Sequence, residues 1–302
     1  MRLSFPVNDF LRAALLAVMT LAACATGSAA TRHAENGSAA GNNAALPAGE
    51  LLRQAVANQK IESGDYYAWL DRVQKPRGAV TKLMVNTPHG LLARLVAIND
   101  KPLTAEEQQF EEQHLNRLLD EGRMSEKAGK QREEERRAER VLNALPDAFL
   151  CQYASAEHEE RQARLECDPN PEYNPPSYEL QVLAGMRITI LIDREELRML
   201  RLEGTLFKDV NFGWGLVGHL YRGGHIEMSQ SRISGKNWGI HHMQFNFDGR
   251  AILFKHLHLE ITEQQWDYHS VPAMDVAQSL DFLRSHAAKL EASAKLNPPK
   301  EK

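Results

Sequence analysis

The sequence predicts an α+β domain, mainly antiparallel β, in which strands carry the fold and a few helices cover it. Three observations lead there. Apolar and polar residues alternate over long stretches after Phe149, the period of a sheet with one dry and one wetter face. Turn-forming clusters such as NTPHG (86–90) and DREE (193–196) separate those stretches at hairpin distance. Residues 49–60, 104–145 and the segment after Pro272 instead place their apolar residues at helical spacing.

The chain opens MRLSFPVNDFLR, with Arg2 and Arg12, and continues into the apolar run AALLAVMTLAA (13–23). That run is about half the length a membrane-spanning helix needs. A basic start, a short apolar core and small residues at its end make a secretory signal peptide. Leu21-Ala22-Ala23-Cys24 resembles the lipobox of bacterial lipoproteins. The resemblance implies that residues 1–23 are removed and that the Cys24 thiol is lipidated. Ala25, where Asp would favour inner-membrane retention, implies the periplasmic face of the outer membrane in a Gram-negative-type envelope. The alternative is an ordinary signal peptide followed by an incidental cysteine. Residues 24–49 are mostly Ala, Gly, Asn, Ser and Thr, a flexible tether without material for a core.

Gly49-Glu50-Leu51-Leu52 begins a short helix. Strands are expected to start at Tyr66-Tyr67-Ala68-Trp69-Leu70 and to run over 80–85 and 91–98, the last two joined at Asn86 to Gly90. Thr104 and Glu107 fit a capping box. Phe110, Leu115, Leu118 and Leu119 form the stripe of the helix they start, which Gly122 should end. A second helix, KQREEERRAERVLNAL, should stop before Pro146. Its charges are of both signs, so it reads as a solvated helix with i,i+4 pairs rather than a nucleic-acid arm. A formal net charge of -4 agrees with the absence of a nucleic-acid surface.

Cys151 and Cys167 lie in AFLCQY and RLECD, two strand-like segments around a polar loop. An even pair in an exported protein predicts a disulfide, worth about 3 kcal/mol on the loop-entropy model. Two free buried thiols are the alternative. Further on, Met186, Ile188, Ile190 and Ile192 form one face of a strand, and Leu200, Leu202, Gly204 and Leu206 one face of the next. Met243, Phe245 and Phe247 then lead to Asp248-Gly249, read as a hairpin turn. Val276, Leu280, Leu283, Ala287 and Leu290 give the C-terminal segment, 271–302, an amphipathic helix ahead of a polar tail.

The outline of lipobox, tether, long antiparallel meander and few helices resembles the bacterial lipoprotein-sorting-like superfamily (LolA/LolB/RseB-like). So do the phrases Ile98-Asn99-Asp100-Lys101-Pro102-Leu103, Asp209 to Leu216 and Asp248-Gly249-Arg250. The resemblance covers about residues 50–270. It implies a curved half-open β-barrel whose covering helices enclose an apolar cavity for acyl chains. The charged helical insertion at about 104–145 is longer than in the small carriers of that group.

Candidate chemistry is sparse. Gly213, Gly215 and Gly218 have dinucleotide-loop spacing, but Gly223-Gly224 interrupts any following helix and Ser229 to Asn246 contains no acid. Phe212, Trp214, Leu216 and Val217 on that stretch read either as a loop tucked into the core or as a lipid-facing lip at a cavity mouth. His256 and His258 share a strand face, and His242 could approach them across the Asp248-Gly249 turn, a weak zinc candidate beside ordinary polar-face histidines. No nucleophile elbow and no C-x-x-C motif occurs. The expectation is a non-enzymatic envelope lipoprotein without cofactor, held to the membrane through Cys24. It would bind lipid, an acyl chain or a lipoprotein partner. An envelope sensor or scaffold is the alternative, and a lipid-anchored metal-dependent hydrolase a third possibility.

Overall fold

The computed structural model describes residues 46–59, 65–119, 121–154, 161–212, 218–235, 237–251, 255–293 and 298–299. Residues 1–45, with the expected signal segment, Cys24 and most of the expected tether, lie outside them, while Ala48 and Gly49, read as the tether's end, instead open the first helix. Helix α1 spans Ala48–Asn58. Strands β1 (Tyr66–Lys75), β2 (Gly78–Thr87), β3 (Gly90–Ile98) and the short β4 (Lys101–Pro102) follow as a meander. Helices α2 (Ala105–Arg117) and α3 (Glu121–Ala148) separate this meander from β5 (Phe149–Tyr153) and β6 (Gln162–Pro169). Then come one-turn α4 (Tyr178–Gln181), β7 (Met186–Asp193), β8 (Arg198–Leu206), β9 (Val210–Phe212) and β10 (Gly218–Leu220). The chain ends with β11 (His225–Ser234), β12 (Asn237–Ala251), β13 (Lys255–Val271) and α5 (Val276–Ser293).

The strands form one open antiparallel sheet, ordered β4-β3-β2-β1-β13-β12-β11-β8-β7-β6-β5. The β1–β13 pairing, Tyr66 opposite Val271, joins the two ends of the described chain. Beyond the end of β11, β12 pairs instead with β10, which carries β9. Gly249 lies inside this paired region, opposite Leu257 on one side and Leu220 on the other. The Asp248-Gly249 turn is therefore corrected to strand. A Cβ at Gly249 would overlap the His219 carbonyl oxygen, so the glycine serves close strand approach rather than chain reversal.

Two apolar cores lie on opposite faces. β1 gives Val73 to one and Leu70 to the other, and an odd spacing along a strand means opposite faces. The larger core joins β5–β8 and β11–β13 to α1 and the end of α3, through Leu52, Leu145, Ile190 and Phe245 among others. The smaller core packs Leu280, Leu283 and Ala287 of α5 and Leu115 of α2 on Leu83, Val85, Leu92 and Trp266. Each fully buried leucine contributes roughly 2 kcal/mol through lost apolar hydration.

Several local expectations hold. Thr104 and Glu107 form both halves of the capping box. Pro88 and His89 turn the β2–β3 hairpin, fixed by the Thr87 hydroxyl donating to the Gly90 carbonyl at 2.8 Å. Asp193 accepts from the Glu195 and Glu196 amides, which shapes the DREE turn.

Others need correction. α3 begins at Glu121, with Gly122 in its first turn, and runs through Pro146. A proline in the last turn forfeits few bonds, and buried Leu145 and Ala148 keep that turn on the core. α3 is also not solvated all round. Lys130–Glu126 and Arg137–Glu133 make the expected i,i+4 pairs, while Ala138 and Leu142 are buried. On α2 and the turn that ends it, Leu115 and Leu118 are buried, but Phe110 and Leu119 are 62% and 51% exposed.

The sheet edge at β3 is protected by side chains. Gln131 of α3 accepts from the Leu91 amide and Glu111 of α2 from the Leu95 amide, each at 2.9 Å. These contacts use donors that would otherwise invite another strand.

Candidate functional site

A cavity of about 60 Å³ opens between α3, α4 and the larger sheet face. Val141, Leu142 and Leu145 form its helical wall, and Met186, Met199 and Met228 much of its floor. Unbranched thioethers fill irregular space and repack readily, so this floor is the adaptable part of the core. Met199 enters it through a β-bulge. Ile190 stands opposite Leu202, but Ile192 stands opposite Met199, so Leu200 is the extra residue. Strict alternation had placed Met199 on the polar face and Leu200 in the core; Met199 is 1% exposed.

The charged group in the cavity wall is Glu179 of α4. Arg140 of α3 donates to it at 3.0 Å. The Glu179 side chain is 11% exposed and that of Arg140 46%, so the pair sits with its acid inward and its base toward water.

A polar cluster occupies the continuation of the same face toward β1. Asp71 of β1 is hydrogen-bonded to Glu263 of β13. Gln265 donates to Glu263 at 2.5 Å, and the single proton of the Tyr268 hydroxyl has two acceptors in reach, the Gln265 side-chain oxygen at 2.5 Å and the Ile240 carbonyl at 2.7 Å. Trp69 stacks on Tyr268 at 5.6 Å between centroids. Burial pushes the Asp71 carboxyl up to about 6, against the bond from Glu263 and the charge of Lys82. Burial and then the Asp71 charge push Glu263 well above the usual carboxylate range. The pair therefore shares a proton near neutrality. One Asp71 oxygen and the Trp69 indole nitrogen are buried without a hydrogen-bond partner. Sequence reasoning missed this pair because its members lie far apart in the chain. The signal was an Asp and a Glu, each on an otherwise apolar strand face.

The other candidate residues are dispersed. Cys151 and Cys167 stand directly opposite on β5 and β6 with sulfurs 2.01 Å apart, at bonding distance. Phe212 is 2% exposed inside the larger core, so as a lipid-facing residue it is corrected to a core residue of β9. Trp214, Leu216 and Val217 lie outside the described residues, as does Cys24. The strand after Gly218 pairs antiparallel with β9 and β12, where a dinucleotide loop would need a helix.

The histidines do not converge. His258 is opposite Asp248 and His256 opposite Arg250, both exposed, whereas His242 is opposite Gln264. Six residues of strand separate Asp248 from His242, about 20 Å. His258 instead bonds Asp248 at 2.7 Å, and that bond, with Glu260, raises its pKa. Among the described residues no group of three or more His, Cys, Asp or Glu side chains is placed to hold a metal ion. Nor is any described helix long and apolar enough to cross a membrane.

No family model matches this chain, and no curated protein matches it either.

Proposed function

We propose that this chain is a non-enzymatic, lipid-anchored envelope lipoprotein of the lipoprotein-sorting-like group. In this reading its larger sheet face, beneath α3, takes the acyl chain of a lipid or of a lipoprotein partner. The observation that carries the proposal is the methionine-floored apolar cavity under a helix that is charged outside and apolar inside. A cavity of about 60 Å³ admits only a chain end, so deeper entry requires α3 to shift and the methionines to repack. The tie at the mouth is weak. Arg140–Glu179 is half exposed on its cationic side, and such pairs hold by about 1 kcal/mol or less. Each methylene that enters gains about 0.8 kcal/mol. The Cys24 lipid would supply attachment at the outer membrane.

The test is titration of the full chain with a fluorescent long-chain fatty acid, beside Met228→Trp, which fills the cavity. Saturable binding of which Met228→Trp removes one equivalent while keeping its fold supports the proposal. Absence of binding to the wild-type protein rejects it.

Exposed Phe110 of α2 and Leu119 just past its end favour a second reading, a sensor or scaffold contacting another envelope protein. Crosslinking from positions 132–140 of α3 tests it, and a clean monomer in the envelope would count against it.

A further inference from the structure

A roomier pocket, about 230 Å³, lies on the opposite sheet face against α5. It exceeds the roughly 150 Å³ that suffices for a benzene-sized ligand. Leu70, Leu83 and Leu290 provide its apolar surface, and Trp69 borders it from β1. Around them stand His269 and Asp267 of β13 and His286 and Lys289 of α5. We propose that this pocket is a second binding site, for a small amphiphilic anion whose carboxylate or phosphate head meets the histidines and lysine while its apolar tail lies on the leucines.

The two imidazoles are prepared for that role. His269 Nδ1 donates to the Asp267 carbonyl and His286 Nδ1 to the Phe282 carbonyl, each at 3.0 Å. A carbonyl can only accept, so each Nδ1 carries the proton and each Nε2 is the nitrogen left to a ligand. The rings are stacked with centroids 6.1 Å apart, and Phe282 packs on His286 at 3.8 Å. Three protonatable cations thus surround one entrance with a single carboxylate, Asp267. Burial, and then the charges of Lys289 and His269, hold the His286 pKa below its ordinary value against the Phe282 bond. An anion between these groups would relieve that repulsion and raise it. The elements facing the pocket from β1 and β2 contribute no charge there, so the balance is set by Asp267, His269, His286 and Lys289. With neutral histidines the lysine and aspartate cancel. With protonated histidines the entrance is cationic. Binding of an anion therefore strengthens as pH falls through the histidine range.

The experiment is calorimetric titration of the full chain with octanoate, octyl phosphate, octanol and inorganic phosphate at pH 6 and pH 8, with proton NMR of the histidine rings. Both amphiphilic anions are expected to bind and to shift the ring signals of His269 and His286 together. Binding should be at least about tenfold weaker at pH 8 and in Lys289→Gln, the loss expected for one charge-assisted contact. Octanoate binding with octyl phosphate failing identifies a carboxylate site, and the reverse a phosphate site; both support an anion pocket. Equal affinity for octanol and octanoate overturns it, as does phosphate binding as tightly as octyl phosphate. So does octanoate binding that is lost in Met228→Trp but unchanged in Lys289→Gln and in His286→Gln, which places the ligand under α3 instead.

Discussion

Asp71 of β1 and Glu263 of β13 meet diagonally on one sheet face and share a hydrogen bond between their carboxyl groups. Both are pushed toward the neutral form, Asp71 to about 6, chiefly by burial. A carboxyl whose pKa is raised on folding holds its proton more tightly in the native state. Its contribution to stability is complete below the ordinary carboxylate range and is lost as pH rises through about 6 and beyond. Thermal melts from pH 4.5 to 8 should therefore show stability falling from the low end of that range through about 6, where Asp71 and Glu263 both contribute, and more gently above it, where Glu263 alone does. Asp71→Asn should flatten the fall. A variant curve parallel to the wild type would contradict the shared proton.

Glu112 of α2 bridges two arginines, buried Arg94 of β3 and Arg284 of α5, the latter at 3.0 Å. Glu112→Ala leaves Arg94 buried without its carboxylate and should cost about 2 kcal/mol by urea denaturation. Glu133→Ala, which breaks an exposed i,i+4 pair on α3, should cost under about 0.5 kcal/mol. Equal costs would remove the case for Glu112 as the tie between the three elements.

Replacing Cys151 and Cys167 together with serine should lower stability by about 3 kcal/mol, because the bridge closes a loop of 16 residues. Non-reducing mass spectrometry of the native chain should find the two cysteines in one linked peptide. Free thiols at both positions would reject the bridge.

Two glycines should respond with opposite signs. Gly249→Ala drives a methyl into the His219 carbonyl and should cost about 2 kcal/mol through displacement of β10. Gly129→Ala, in α3 with open space around it, should stabilise by about 0.5 to 1 kcal/mol. Melting temperatures of the two variants decide this.

Local physics was the readable part of the sequence. The Thr104 cap, the Pro88-His89 reversal and the alternation of Met186 to Ile192 each depend on neighbours within a few residues, and each is found where the residues indicate. Asp248-Gly249 misled because the same glycine that suits a tight turn also suits close strand approach. Pro146 misled because tertiary packing on Leu145 and Ala148 outweighs one missing donor. The bulge that turns Met199 inward follows from the β7–β8 register, which no local pattern encodes. The Asp71–Glu263 contact depends on β1 closing against β13, a pairing between the ends of the described chain.

Acyl chains that enter beneath α3 must touch the helix and the methionines under it. Photocrosslinking of the full chain with a diazirine fatty acid, followed by peptide mapping, tests this most directly. Labels are expected at Val141, Leu142 or Leu145 and at Met199 or Met228, suppressed by Met228→Trp. Labelling confined to the α5 pocket around Leu290, or none at all, would contradict it.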